Sequence, residues 1–264
     1  MKLKMKELWK ENKSEFFRRL LLIFLSLQVI SLTFSIAVSS LSFGLSIFCW
    51  VMILLTEKRW ERTPMDYFFL LFILAEILST IFSYKPEQSA INMKRLFIFG
   101  VFYMTFFAFK DKKEIKTFFT VFLLLTATLS ILEIVEKYLL HIDRIGIFQH
   151  YMTTGGIKMI ICLYALPVLF NRQLSVKERI LTGIIAGIIF ITLILTMTRS
   201  SWLGFGIGAI VLGIVYHKRL LLYLVIFIAL FMLFAPQNIK DRALSSFDPS
   251  HPSNITRIRM IETG

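Results

Sequence analysis

The chain has 264 residues, 56% of them hydrophobic, a mean hydropathy of +0.72 and a formal net charge of +13. So large an apolar share excludes a water-soluble domain, which needs a polar exterior, and the lack of alternating segments of about ten residues excludes an outer-membrane barrel. The charge does not point to nucleic acid, because Lys and Arg fall between apolar runs, where they act as topology signals and contacts to anionic lipid.

In chain order, the basic segment Met1–Arg19 reads either as a solvated tail or as an amphipathic helix along the inner leaflet. It runs into the first of nine apolar spans, with no cleavable signal evident. The spans are Leu20–Val38, Leu41–Leu55, Tyr67–Ile81, Leu96–Phe109, Phe118–Ile134, Ile157–Phe170, Ile180–Met197, Trp202–Tyr216 and Leu220–Phe234. With the N-terminus inside, the inner segments hold 19 of the 30 Lys and Arg residues, which sets that orientation. The expected fold is all-α, a polytopic transmembrane helix bundle of about nine spans with a cytoplasmic N-terminus. Its divisions are residues 1–19 inside, 20–234 in the membrane and 235–264 as the start of an outer loop, rich in proline and polar residues, in which the chain breaks off.

Three stretches carry candidate chemistry. Between spans seven and eight, Thr196-Met197-Thr198-Arg199-Ser200-Ser201-Trp202 leaves almost no loop and holds Arg199 at the outer boundary. An arginine there is costly to desolvate unless it meets water or an anion, and the helix that follows offers N–H groups and a positive dipole end. The pair suits a phosphate or diphosphate, with Thr198 and Ser200 as flanking donors; lipid headgroups, with Trp202 as anchor, are the simpler partner. The second stretch, Ser253–Arg259, contains Asn254, Arg257 and Arg259. Two arginines two apart do not share a helical face, so one of them at most points at a common target. The third, Arg144–Gly156, enters span six with His150 as a polar contact or base and a glycine pair that permits close approach. Among intramembrane charges, Glu76 is the deepest, whereas Glu133 and Lys158 either line a polar cavity or snorkel from the span ends. Gly183/Gly187 and Gly204/Gly208 suit close helix packing, and Cys49 and Cys162 read as packed or lipid-facing thiols. The histidines His141, His150, His217 and His251 show no ligand spacing, and no metal ion or cofactor is expected.

The T-x-T-R-x-x-W sequence of Thr196–Trp202, leading into a Gly-rich helix, resembles the central motif of the O-antigen ligase and O-antigen polymerase superfamily of bacterial inner-membrane proteins. Asn254-x-x-Arg257 is similar to the start of that family's large periplasmic loop, and Leu78–Tyr84 and Gly146–His150 also look like typical members. The resemblance implies a glycosyltransferase of polysaccharide biosynthesis in the cell envelope. Its donor is a polyprenyl-diphosphate-linked glycan, and its acceptor is lipid A core or another surface glycan. Arg199 and Arg257 would be the catalytic pair on the donor diphosphate, with Arg259 as a register alternative. Family members carry a histidine further along the loop; His251, six residues before Arg257, comes too early, so the chain reads as truncated before the loop is complete, with the rest expected in a downstream reading frame. The other readings are a membrane transporter and a non-catalytic membrane scaffold.

Overall fold

The computed structural model describes residues 2–57, 62–146, 149–171, 173–246, 248 and 252–263, and the side chains among them except those of 2–11, 232, 253, 257, 261 and 263. Helices dominate, and no strand occurs among the described residues. They are α1 (Lys2–Ser31), α2 (Ile36–Glu57), α3 (Asp66–Ile81), α4 (Pro86–Asn92), which continues through a 3-10 turn into α5 (Ile98–Ala108), α6 (Lys112–Leu139), α7 (Tyr151–Phe170), α8 (Val176–Leu195), α9 (Arg199–Val215), α10 (Arg219–Phe234), α11 (Gln237–Leu244) and α12 (Pro252–Thr263).

The distribution of polarity is inverted relative to a soluble protein. Ser42, Ser46, Thr126, Ser130, Glu133, Lys158 and Thr192 are buried, while Phe68, Leu71, Ile160, Ile207 and Leu233 are more than 45% exposed. Helix α3 has no buried residue at all. Such surfaces are stable against hydrocarbon and not against water, so the chain is a helical membrane protein.

Among the described residues, five helical stretches are long and apolar enough to cross a membrane: Ile36–Glu57, Pro86–Ala108, Lys112–Leu139, Tyr151–Phe170 and Val176–Leu195. This is fewer than the nine expected, for a reason of length. Helix α3 has 16 residues, α9 has 17 and α10 has 16. At 1.5 Å per residue each reaches about 25 Å, short of a hydrocarbon core of roughly 30 Å. The fourth is α1, whose apolar part, Leu20–Ser31, is shorter still. The first two spans are also divided elsewhere than expected. The chain breaks at Leu32–Ser35, with Phe34 N–H donating to Ser31 and Ser35 N–H also to Ser31, rather than near Ser40.

The chain forms two compact units, Met1–Phe119 and Thr120–Gly264. In the first, α1, α2 and α5 pack round Leu21, Leu25, Cys49, Ile53, Met104 and Phe107. Ser39, Ser42 and Ser46 form a small-residue stripe on α2, and Ser39 Oγ donates to the Gln28 carbonyl of α1 at 3.1 Å, which draws the two backbones together. The polar segment before Leu20 is helical and continuous with the apolar part of α1. There Arg18 bridges Glu15 at 2.8 Å and Glu114 at 3.1 Å and donates to the Ala108 carbonyl at the end of α5. The Arg18 guanidinium holds the Glu15 carboxyl down to about 2. Glu76 of α3 is paired with Arg95, at 2.6 Å.

In the second unit α7 packs on α8 and α9, and α9 on α10. The starts of α8 and α7 have local causes. Ser175 and Glu178 form a reciprocal capping box at α8, and His150 Nδ1 accepts from the Met152 N–H at α7. Gly204 and Gly208 of α9 lie under Met159 and Leu163 of α7, where any Cβ would collide with those side chains. Glu133 and Lys158 do not snorkel. They form a 2.6 Å ion pair, 3% and 4% exposed, and Lys158 Nζ also donates to Ser130 Oγ at 2.7 Å, which in turn accepts from Thr192 Oγ1 at 3.2 Å. The pair ties α6 to α7, and the Ser130–Thr192 bond adds α8.

Candidate functional site

The elbow between α8 and α9 is tightly constrained. Helix α8 ends at Leu195, Met197 adopts a left-handed conformation with φ 53°, and Thr198 is extended before α9 begins at Arg199. A left-handed non-glycine residue costs about 1–2 kcal/mol and persists only where its surroundings enforce it. Here they do. Arg242 Nε of α11 donates to the Met197 carbonyl at 3.2 Å, Ile145 N–H donates to the Leu195 carbonyl at 3.2 Å, and Thr198 Oγ1 donates to the Tyr151 carbonyl at 3.2 Å. Trp202 Nε1 donates back to Leu193 at 3.1 Å. Gly155 of α7 presses on the elbow, because a Cβ there would lie 2.8 Å from Ser201 Oγ and 3.2 Å from Thr196 Oγ1.

This packing buries Arg199 to 8% exposure at the first position of α9. Its Nη1 donates to the Ser245 carbonyl and, at 3.2 Å, to Ser245 Oγ; its Nη2 donates to Asn254 Oδ1 at 3.2 Å. Asn254 Nδ2 donates in turn to the carbonyls of Ser245 and Asp248, so the turn after α11 and the start of α12 close over the guanidinium as one hydrogen-bonded unit. The side chain of Thr198 makes no cap on α9, having turned to Tyr151, and the positive end of the α9 dipole is left to its surroundings.

Two more arginines stand at the elbow. Arg242 touches Met197, and the Arg144 guanidinium lies over the Tyr151 ring, 5.1 Å from its centroid. Among the described residues neither has a carboxylate partner. Burial first, and then the positive charges of Arg144 and Arg199, hold the Arg242 guanidinium below its ordinary value. From Arg199 an apolar groove of about 320 Å³ runs between α8, α9 and α10, past Leu193, Trp202, Leu203, Phe227 and Phe231. A second cavity of about 330 Å³, lined by Cys162, Leu166, Gly187 and Tyr223, shares Phe190, Phe205, Leu224 and Phe227 with the first.

Of the residues singled out from sequence, Arg199, Thr198 and Asn254 meet at the elbow. Ser200 is exposed, and its neighbour Ser201 is the buried serine against Gly155. His150 is exposed, caps α7 and has its ring 4.0 Å from that of Tyr151. Arg259 is exposed on α12. The side chain of Arg257 and the whole of His251, Ile147 and Phe148 lie outside the described residues. Arg242 and Ser245 are additional members, and Arg144 and Ser201, which lay within the candidate stretches without a role, join them; the available signal for the two arginines was their lying in short polar segments beside apolar runs, as Arg199 does.

No protein-family model, curated protein or solved structure matches the chain.

Proposed function

We propose that this protein is an O-antigen ligase-like glycosyltransferase of the bacterial inner membrane, with about nine spans and a cytoplasmic N-terminus. It moves a polyprenyl-diphosphate-linked glycan onto an acceptor, lipid A core or another surface glycan, at the periplasmic face. The observation that carries this reading is a buried arginine, Arg199, at a helix start and at the mouth of an apolar groove. That arrangement suits an amphiphile with an anionic head and a long hydrocarbon tail.

In this reading the diphosphate sits against the Arg199 guanidinium and the start of α9, and the prenyl tail follows the groove toward Phe231. An acceptor hydroxyl attacks the anomeric carbon, forming the new glycosidic bond as its proton passes to the departing lipid diphosphate or to solvent. The anomeric carbon–oxygen bond to the diphosphate breaks, and its electron pair leaves on the lipid diphosphate. Fixed guanidinium charge lowers the barrier because negative charge grows on that leaving group in the transition state. Arg257, less than one helical turn after Asn254 on α12, is the second candidate for the same task.

The test is transfer of glycan from a polyprenyl diphosphate donor to acceptor in proteoliposomes, comparing the unchanged protein with Arg199→Ala. Removal of one such donor costs roughly 100-fold or more in rate. Transfer at the unchanged rate by a folded Arg199→Ala protein overturns the proposal, and solute uptake by the same vesicles would favour a transporter instead.

A further inference from the structure

We propose that Arg144 and Arg242 join Arg199 in a three-guanidinium cradle around the Met197–Arg199 elbow, selective for a diphosphate or phosphomonoester over a phosphodiester headgroup. This rests on the reading of Arg199 as an anion site, and it assigns the second and third cations to segments other than Asn254–Arg259.

Three different segments deliver these arginines to one place. Arg199 opens α9; Arg242 lies on α11 and is fixed by its Nε to the Met197 carbonyl; Arg144 precedes α7 and lies over Tyr151, whose carbonyl accepts from Thr198. The bond through Nε occupies one edge of the Arg242 guanidinium and leaves its Nη groups to other partners. Ile145, next to Arg144, is 1% exposed and bonded to Leu195, so the Arg144 backbone is pinned to the same elbow.

Concentrating like charge in a partly buried place is unfavourable unless something of opposite sign completes it. Among the described residues, acids pair with cations elsewhere, Glu133 with Lys158 and Glu76 with Arg95, but none pairs with Arg144 or Arg242. The compensating charge is therefore expected from a ligand. A phosphodiester headgroup brings one negative charge and two unesterified oxygens. A lipid diphosphate brings two charges while the glycan is attached and two or three once it has left, with at least four unesterified oxygens to accept N–H groups from the guanidinium forks. The cradle matches the second in charge, and the groove beginning at Arg199 accepts the attached chain.

The experiment measures displacement of a fluorescent prenyl diphosphate from the purified protein in detergent by inorganic pyrophosphate and, separately, by phosphatidylglycerol. It compares Arg144→Gln, Arg242→Gln, Arg242→Lys and Arg199→Gln, with Lys218→Gln, at the start of α10, as a control for net charge. Loss of one charge-assisted contact is expected to weaken pyrophosphate about tenfold or more in Arg144→Gln and in Arg242→Gln. Phosphatidylglycerol should change little, and Lys218→Gln should match the unchanged protein. Because Arg242 also holds Met197, Arg242→Lys and Arg144→Gln decide the matter if Arg242→Gln does not fold. Unchanged pyrophosphate affinity in Arg144→Gln and Arg242→Lys, with weakening in Arg199→Gln alone, overturns the cradle and leaves the Arg199 reading standing. Unchanged affinity in Arg199→Gln as well overturns both.

Discussion

Replacing Lys158 by methionine removes the cation from a 2.6 Å pair whose members are 4% and 3% exposed, and leaves the Glu133 carboxylate inside the helix bundle. It also takes a donor away from Ser130 Oγ. A buried ion pair broken from one side costs about 3–5 kcal/mol, because the remaining charge has lost both water and partner. Replacing both residues with apolar groups of similar size, Lys158→Met with Glu133→Leu, leaves no stranded charge, and such exchanges are nearly neutral. The expectation is thus strong non-additivity: each single variant is destabilised by about 3–5 kcal/mol and the double variant by less than either. Unfolding of the detergent-solubilised protein by increasing dodecyl sulfate, followed by circular dichroism, measures all three. Equal small losses in both single variants, adding simply in the double, would refute the inference that the pair ties α6 to α7.

Gly155→Ala places a methyl 2.8 Å from Ser201 Oγ and should destabilise the protein by about 1–3 kcal/mol and weaken anion binding at Arg199, whereas Gly156→Ala meets open space and should stabilise the protein by up to about 1 kcal/mol; thermal unfolding of the two variants distinguishes them. Glu15 titrates near 2 in the folded protein against an ordinary 4.5, so the stability it contributes is complete above pH 4.5 and is lost as pH falls from 4.5 toward 2. The thermal midpoint should fall over that range, and Glu15→Gln should flatten its share of the fall. A cysteine at exposed Ser200 should react with an impermeant maleimide from the periplasmic side of spheroplasts, while native Cys49 and Cys162, both buried, stay unlabelled; reaction only after permeabilisation would contradict the proposed orientation.

The helical character of the chain and the prominence of Arg199 were readable from sequence because both are local. A long apolar run has one stable solution in a bilayer, and an arginine wedged between two such runs with no loop is conspicuous. Features that depend on which residues meet were not readable. Glu133 and Lys158 each lie toward a span end, and only the packing of α6 on α7 turns two apparent snorkelling residues into one buried pair. Nothing in the sequence joins Arg144 and Arg242 to Arg199; only the fold carries them to the Met197–Arg199 elbow. The choice between Ser200 and Ser201 turns on the phase at which α9 starts, which depends on the left-handed turn at Met197. The break in the first apolar region fell at Leu32–Ser35, where Leu32 and Phe34 read as membrane residues, because the one-sided serine stripe on α2 rewards a hairpin with α1.

Photo-crosslinking would test the donor site most directly, using a polyprenyl diphosphate with a benzophenone near the middle of its tail and mass spectrometry of the labelled peptides. Adducts should fall on α9 and α10 around Leu203, Phe227 and Phe231, and should disappear in Arg199→Ala. Adducts spread over the first unit, or undiminished labelling of the groove without the arginine, would contradict the assignment.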